Sequence, residues 1–206
     1  LLPIYFGDHN NSVHLTTVLR CEFDGETLHW REQGDDLAIH FGRGYSEPSL
    51  AKFQDRYFLT LRNDRAGYVT AGDDGRRFAP PALWRFDDDE PLGSYNTQQH
   101  WLVHREALFL VYTRRGVDND DVMRHRAPLL MAQVDPRTLR VLRATERIVV
   151  PKHGAAAMGN FGICHVTRDE SWIVVGVPPT KEVPGRERNV FIARIRWSRP
   201  NADPFA

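Results

Sequence analysis

The sequence is poor in cysteine and in long apolar runs, and each shortage excludes a class of protein. Its two cysteines, Cys21 and Cys164, lie far apart and belong to no CxxC or Cys/His cluster. That leaves no zinc-ribbon or thioredoxin-type motif, and two buried free thiols are the expectation. No apolar run reaches the roughly 18 residues that a membrane-crossing helix needs. Leu1-Leu2-Pro3 lacks the charged start and apolar core of a signal peptide. The chain reads as if it starts mid-strand, so an upstream portion is expected. Secretion or a periplasmic location follows only if that portion carries a signal peptide. The nine histidines show no HxH or HExxH spacing, and no metal site is expected. Glycine-rich phosphate loops and a GxSxG elbow are missing too, and no cofactor is expected. Lysine plus arginine and aspartate plus glutamate are balanced at 27 each, which gives no electrostatic ground for a nucleic-acid or membrane partner.

What the sequence does have is alternation. Apolar residues form 41% of it and charged residues 26%, the balance of a globular chain. Period-2 patterns predict strands at 13–21, 26–30, 49–53, 57–62, 67–71, 100–104, 108–114, 129–134, 139–142, 163–167, 172–177 and 190–197. Polar turns such as Asp24-Gly25, Gln54-Asp55, Asp74-Gly75, Arg105-Glu106 and Asp135-Pro136 separate them. Short strands joined by tight turns imply an antiparallel, all-β architecture in a single domain over 1–206.

Three hairpins resemble one another. Residues 50–62, 101–112 and 164–175 each read as a short strand, a charged turn and a strongly apolar strand. The apolar strands recur at roughly 50–60 residues, near the period of β-propeller blades. Such strands are expected in the middle of a blade, buried on both faces. At that period the chain holds about four blades of four antiparallel strands. The missing N-terminal part of the propeller, or a homodimer partner, would complete the ring. A β-sandwich with similar hairpins is the alternative.

The segment Ala71-Gly72-Asp73-Asp74-Gly75-Arg76-Arg77-Phe78 resembles the Asp-box of sialidase-like propellers, S/T-x-D-x-G-x-T-W/F. Asp73, Gly75 and Phe78 fall on its Asp, Gly and aromatic positions, which are structural. The order Tyr45-Ser46-Glu47-Pro48-Ser49-Leu50, then Phe58 to Asn63, then Tyr68 running into that turn, is similar to a sialidase blade. The resemblance implies a glycoside hydrolase in which Glu47 is the supporting carboxylate and Arg62 one of three substrate-gripping arginines. Arg126, or its neighbour Arg124, would be another. The family's late nucleophilic tyrosine is missing: no tyrosine follows Tyr112, and Phe161 stands at the expected place. The resemblance therefore implies the scaffold more than exo-sialidase activity.

Guanidinium groups bind a carboxylate through two parallel N–H bonds, so converging arginines suit an acidic glycan. The segment Ser94-Tyr95-Asn96-Thr97-Gln98-Gln99-His100-Trp101 adds amides, a titratable ring and an aromatic face at a strand start. Tyr95 and Gln99 are candidate glycan-binding residues, and His100 joins Glu47 as a catalytic candidate. A second carboxylate would come from elsewhere, with Asp120 and Asp121 as candidates. A polysaccharide lyase using Arg62, His100 and Tyr95, and a non-catalytic glycan-binding propeller, are the competing readings.

Overall fold

A computed structural model of the chain describes residues 1–7, 13–179 and 189–202. Those residues form fifteen strands and two single-turn 3-10 segments, Met123–His125 and Arg143–Thr145. Every strand pair in its sheets is antiparallel.

Four sheets follow one another along the chain. The first contains β1 (Leu2–Gly7), β2 (His14–Phe23) and β3 (Leu28–Gln33). The second runs β4 (Ser46–Phe53), β5 (Arg56–Arg62), β6 (Gly67–Gly72) and β7 (Ala82–Leu83). The third joins β8 (His100–His104), β9 (Ala107–Tyr112), β10 (Leu129–Asp135) and β11 (Arg140–Val141), with β12 (Arg147–Val150) also pairing β10. The fourth comprises β13 (Phe161–Thr167), β14 (Glu170–Val177) and β15 (Asn189–Arg196). The leading strands adjoin in order, β1 beside β4, β4 beside β8 and β8 beside β13. Among the described residues only the second sheet has the expected four strands in simple order.

Alternation explains how the sheets stack. On β5, Phe58 enters a core shared with Trp84, Trp101, Leu108, Leu110 and Tyr112. Its neighbours Leu59 and Leu61 point the other way, toward Val18, Tyr45 and Tyr68. On β9, Leu108, Leu110 and Tyr112 serve the same core as Phe58, while Val111 joins Leu129, Ile173 and Val175. A strand covered on both faces needs apolar residues at both parities, which accounts for the near-continuous apolar runs at 57–62 and 108–112. The repeated hairpins thus place β5, β9 and β14 inside their sheets, as expected.

One polar cluster interrupts this packing. At the end of β9, the fully buried Tyr112 donates its hydroxyl to Glu146 at 2.5 Å. Arg114 grips the same carboxylate through Nε at 2.9 Å and Nη2 at 2.6 Å. Burial pulls the Glu146 carboxyl upward, and the Arg114 guanidinium and Tyr112 hydroxyl outweigh it, holding the group below its ordinary value.

The Asp-box expectation needs correction. Gly75 does adopt a left-handed conformation, at φ 73°, and Phe78 packs against the core between the first two sheets. Asp73, however, points to solvent with a side chain 91% exposed. The turn is closed by Asp74, whose Oδ1 accepts the backbone N–H of Arg76 at 2.9 Å and of Arg77 at 2.8 Å. Asp24 does the same for Glu26 and Thr27 in the β2–β3 turn. Both are Asx-turns, the general device by which a short carboxylate reaches N–H groups two and three residues on. Asp74→Ala should therefore cost about 1 kcal/mol in chemical denaturation. Asp73→Ala should change stability by less than about 0.5 kcal/mol.

Two further expectations change. Cys21 is half-buried and Cys164 exposed, both as free thiols, so they are not the two buried thiols expected. Strand β1 stands at the chain start, where the sequence reads as mid-strand; β7 and β12 were not anticipated, since they span two and four residues, too short for a periodic signal.

Candidate functional site

The segments that lead into β4, β8 and β13 meet the end of β5 and the β9–β10 connection, and the candidate residues lie there. Arg62 ends β5 and is buried, with a side chain only 8% exposed. A guanidinium taken out of water needs partners. Its Nη1 donates to Glu47 Oε1 and its Nη2 to Asn96 Oδ1, each at 2.5 Å. Glu47 is therefore an ion-paired carboxylate beside Arg62, at the start of β4 where the register shifts between Ser46 and Ser49.

Asn96 collects two more arginines. Arg43, just ahead of β4, donates from Nη2 to Asn96 Oδ1 at 3.1 Å and from the same atom to Asp64 Oδ1 at 2.7 Å. Arg126, in the β9–β10 connection, donates from Nη2 to the Asn96 carbonyl at 2.7 Å. Three guanidinium groups thus converge on one asparagine. Arg124 lies close enough to act on Arg126 electrostatically, although it is itself exposed. Burial, then the positive charges of Arg124, Arg62 and Arg43, lower the proton affinity of Arg126, with Glu47 acting in the opposite sense. The Asp64 carboxylate raises that of Arg43.

The cluster is short of acceptors. Nε of Arg62 and Nε of Arg126 are both buried with no hydrogen-bond partner among the described residues. So is Nε2 of His100, the first residue of β8. Buried donors are normally satisfied, and the two arginine Nε groups at one place indicate a site that expects an anion. Burial holds the His100 ring below its ordinary value, against the opposing pull of Glu47 and the Phe161 backbone, so it is neutral at pH 7.

Backbone strain gathers at the same place. Glu47, Asn96, Arg124 and His125 have φ values of 46°, 49°, 56° and 52°. Left-handed conformations are costly for residues with a Cβ and persist where surroundings over-determine them. The loop before β13 closes the site from another side. A Cβ on Gly159 would fall 2.4 Å from Arg126 Cδ and 2.9 Å from Thr97 Oγ1. Beside Arg126 opens a cleft of about 310 Å³, lined also by Met123, Ala157, Gly159, Asn160 and Gly176.

The structure therefore brings Glu47, Arg62, His100 and Arg126 together. Tyr95 sits next to the cluster, half-buried, with its hydroxyl 2.7 Å from His125 Nδ1. Gln99 is enclosed: it accepts from Thr60 Oγ1 at 2.8 Å and donates to Ser94 Oγ at 2.7 Å. Its amide braces the loop from beneath and has no free face toward the cluster. Asp121 is paired with Lys152 at 2.7 Å, in the same loop as Asp120. Phe161 is buried and meets the His100 ring edge-on at 5.1 Å between centroids. Among the described residues no group of three His, Cys, Asp or Glu side chains is placed to hold a metal ion. No helix there is long and apolar enough to cross a membrane.

Sequence reasoning missed Arg43 and the hub role of Asn96. Arg43 sits in Gly42-Arg43-Gly44, which reads as a plain loop. The available signal was that pair of glycines, both with positive φ, directly before the Tyr45-Ser46-Glu47 segment. Gly44 is required because a Cβ there would lie 2.1 Å from the His14 carbonyl oxygen.

No protein-family model matches the chain, and no curated protein does. Solved structures do. A protein of unknown function from Dyadobacter fermentans aligns at 13% identity and a TM-score of 0.61, over 89% of this chain and 46% of that one. A Trypanosoma rangeli sialidase in complex with sialic acid aligns at 17% identity and 0.52, over 89% of this chain and 27% of that one. A mutant of that sialidase displaying trans-sialidase activity gives 16% and 0.51, over 88% and 27%. The chain spans less than half the length of these structures. At such identity the likeness is one of fold, and the fold is sialidase-like.

Proposed function

We propose that the chain is part of a glycoside hydrolase acting on a glycan that bears a carboxylate, held by Arg43, Arg62 and Arg126. The observation that carries this reading is the convergence of three guanidinium groups on Asn96 with two buried Nε donors unpaired. A guanidinium fork matches a carboxylate in shape as well as charge. In this reading the four consecutive sheets are propeller blades, their adjoining leading strands lining the axis and the arginines crowning one end of it. The sialidase neighbour, solved with sialic acid, supports the choice of an acidic sugar.

Glu47 serves as a support that keeps Arg62 aimed through their ion pair at 2.5 Å. His100, whose Nε2 has no hydrogen-bond partner among the described residues, is the acid–base candidate. The cleft beside Arg126 accepts the next part of the glycan. A panel of 4-methylumbelliferyl glycosides tests the reading. N-acetylneuraminic acid or glucuronic acid derivatives should release fluorophore, and the galactoside should not. Release from the galactoside alone, or from none of them, would contradict it.

Gly159 offers a separate check on the arginine geometry. Gly159→Ala should push Arg126 off Asn96 and weaken binding of N-acetylneuraminate or glucuronate about tenfold by titration calorimetry. Loss of fold stability should stay near 1 kcal/mol, because the clash falls on a side chain at the rim of the core.

A further inference from the structure

Beside the arginines lies a second group of titratable side chains that the reading above does not use. Tyr95 Oη is 2.7 Å from His125 Nδ1, and His125 Nε2 is 3.2 Å from Asp120 Oδ1. An ionised carboxylate accepts only, so Nε2 carries the proton and Nδ1 is left to accept from the phenol. This is the arrangement of a hydroxyl, a base and an orienting carboxylate. We infer that Tyr95, His125 and Asp120 form a proton relay serving the sugar held by the arginines. The inference rests on the glycan reading above.

Three observations tie the relay to the site. Tyr95 precedes Asn96, the hub of the arginines, and His125 precedes Arg126, so the hydrogen bond from Arg126 to the Asn96 carbonyl clamps the two segments together. The left-handed backbone at Asn96 and at His125 fixes the direction in which each neighbouring side chain leaves. Both partners are also held from outside. The Arg115 guanidinium covers the Tyr95 ring at 3.9 Å from its centroid. The buried amide of Asn119 binds the carbonyls of His125 and Ala127 at 3.3 and 2.6 Å.

The step balances as follows. The oxygen of a water molecule forms a bond to the anomeric carbon, and the bond from that carbon to the leaving oxygen breaks with its electron pair. The water gives a proton to Tyr95 Oη as the Tyr95 proton passes to His125 Nδ1. The resulting imidazolium lies against Asp120 and returns its proton to solvent, leaving the tyrosine unchanged. With an aryl glycoside the leaving group departs as aryloxide and needs no acid. Tyr95 is then a catalytic residue, and His125 a positioning residue that acts through it.

The test uses 4-methylumbelliferyl N-acetylneuraminic acid and glucuronide with the whole chain. Tyr95→Phe should lower kcat about a hundredfold with KM within about twofold, the size expected when a general base is removed. N-acetylneuraminate should still bind it by calorimetry. His125→Ala should lower kcat comparably, and added imidazole should restore part of the loss, which a purely structural histidine would not allow. Turnover that survives Tyr95→Phe, or a His125→Ala loss that imidazole does not relieve, overturns the relay and leaves the glycan reading standing. Absence of turnover by the unaltered chain overturns the relay together with hydrolysis. Absence of N-acetylneuraminate and glucuronate binding overturns the arginine reading itself.

Discussion

Arg62→Ala is expected to abolish acidic-sugar binding, raising Kd at least about a hundredfold, because it removes the most buried arginine of the cluster. Truncating one partner of a buried, hydrogen-bonded charge pair costs about 2–5 kcal/mol, much of it from the group left behind. Here Glu47 is left without its donor, and Asn96 Oδ1 keeps only the longer bond from Arg43. The same loss could unfold the chain, so Arg62→Lys provides the control. It keeps the charge but not the fork, and should weaken binding about thirtyfold, or ~2 kcal/mol, with the melting transition retained. Calorimetric titration with glucuronate and N-acetylneuraminate measures both variants. Full affinity in Arg62→Lys would show that shape plays no part in recognition.

The second large effect lies away from the site. Glu146→Gln should destabilise the fold by about 3 kcal/mol, because it leaves the Arg114 charge half-enclosed and opposite no carboxylate. In a chain of this length that corresponds to a fall of roughly 6–12 °C in Tm. The pH dependence has a definite sign. Glu146 is held below its ordinary 4.5 in the folded chain, so the folded state resists its protonation more than the unfolded state does. The contribution is complete at pH 7 and is lost as pH falls below about 4.5 through the depressed folded value. Thermal melts of the two proteins should accordingly be far apart at pH 7 and converge in acid. A gap that is equally wide at low pH would mean that shape, not charge, is what the substitution removes.

Much of the fold could be read from alternation. Phe58, Leu59 and Leu61, or Leu108 to Tyr112, are apolar at both parities, and only a strand covered on both faces needs that. The sheets were legible for the same reason, since Gln54-Asp55 and Arg105-Glu106 mark hairpins whose register the strands then follow. The missed strands are those too short for a pattern, and the misassigned turn acid reflects two adjacent aspartates that sequence cannot tell apart. Only the direction of the backbone N–H groups selects Asp74 over Asp73.

The site was legible where a charge broke an apolar run. Arg62 closes a buried strand, and a charge there must have partners. His100 stood out by its neighbours at a strand start, whereas Arg126 was expected only from the resemblance to sialidase-like propellers. Arg43 did not, because its partners Asp64 and Asn96 are far along the chain and only the fold brings them near. The pairing of Tyr95 with His125 was hidden in the same way. Its two members lie in different loops, clamped by the hydrogen bond from the Arg126 side chain to the Asn96 carbonyl, which no spacing announces.

The central claim is that the arginine cluster recognises a sugar by its carboxylate. Titration calorimetry with N-acetylneuraminic acid and with its methyl ester tests this most directly, since the ester removes the charge at the cost of one added methyl group. The acid should bind, and the ester should bind at least about a hundredfold more weakly. Equal binding of the two, or binding of neither, would contradict the account.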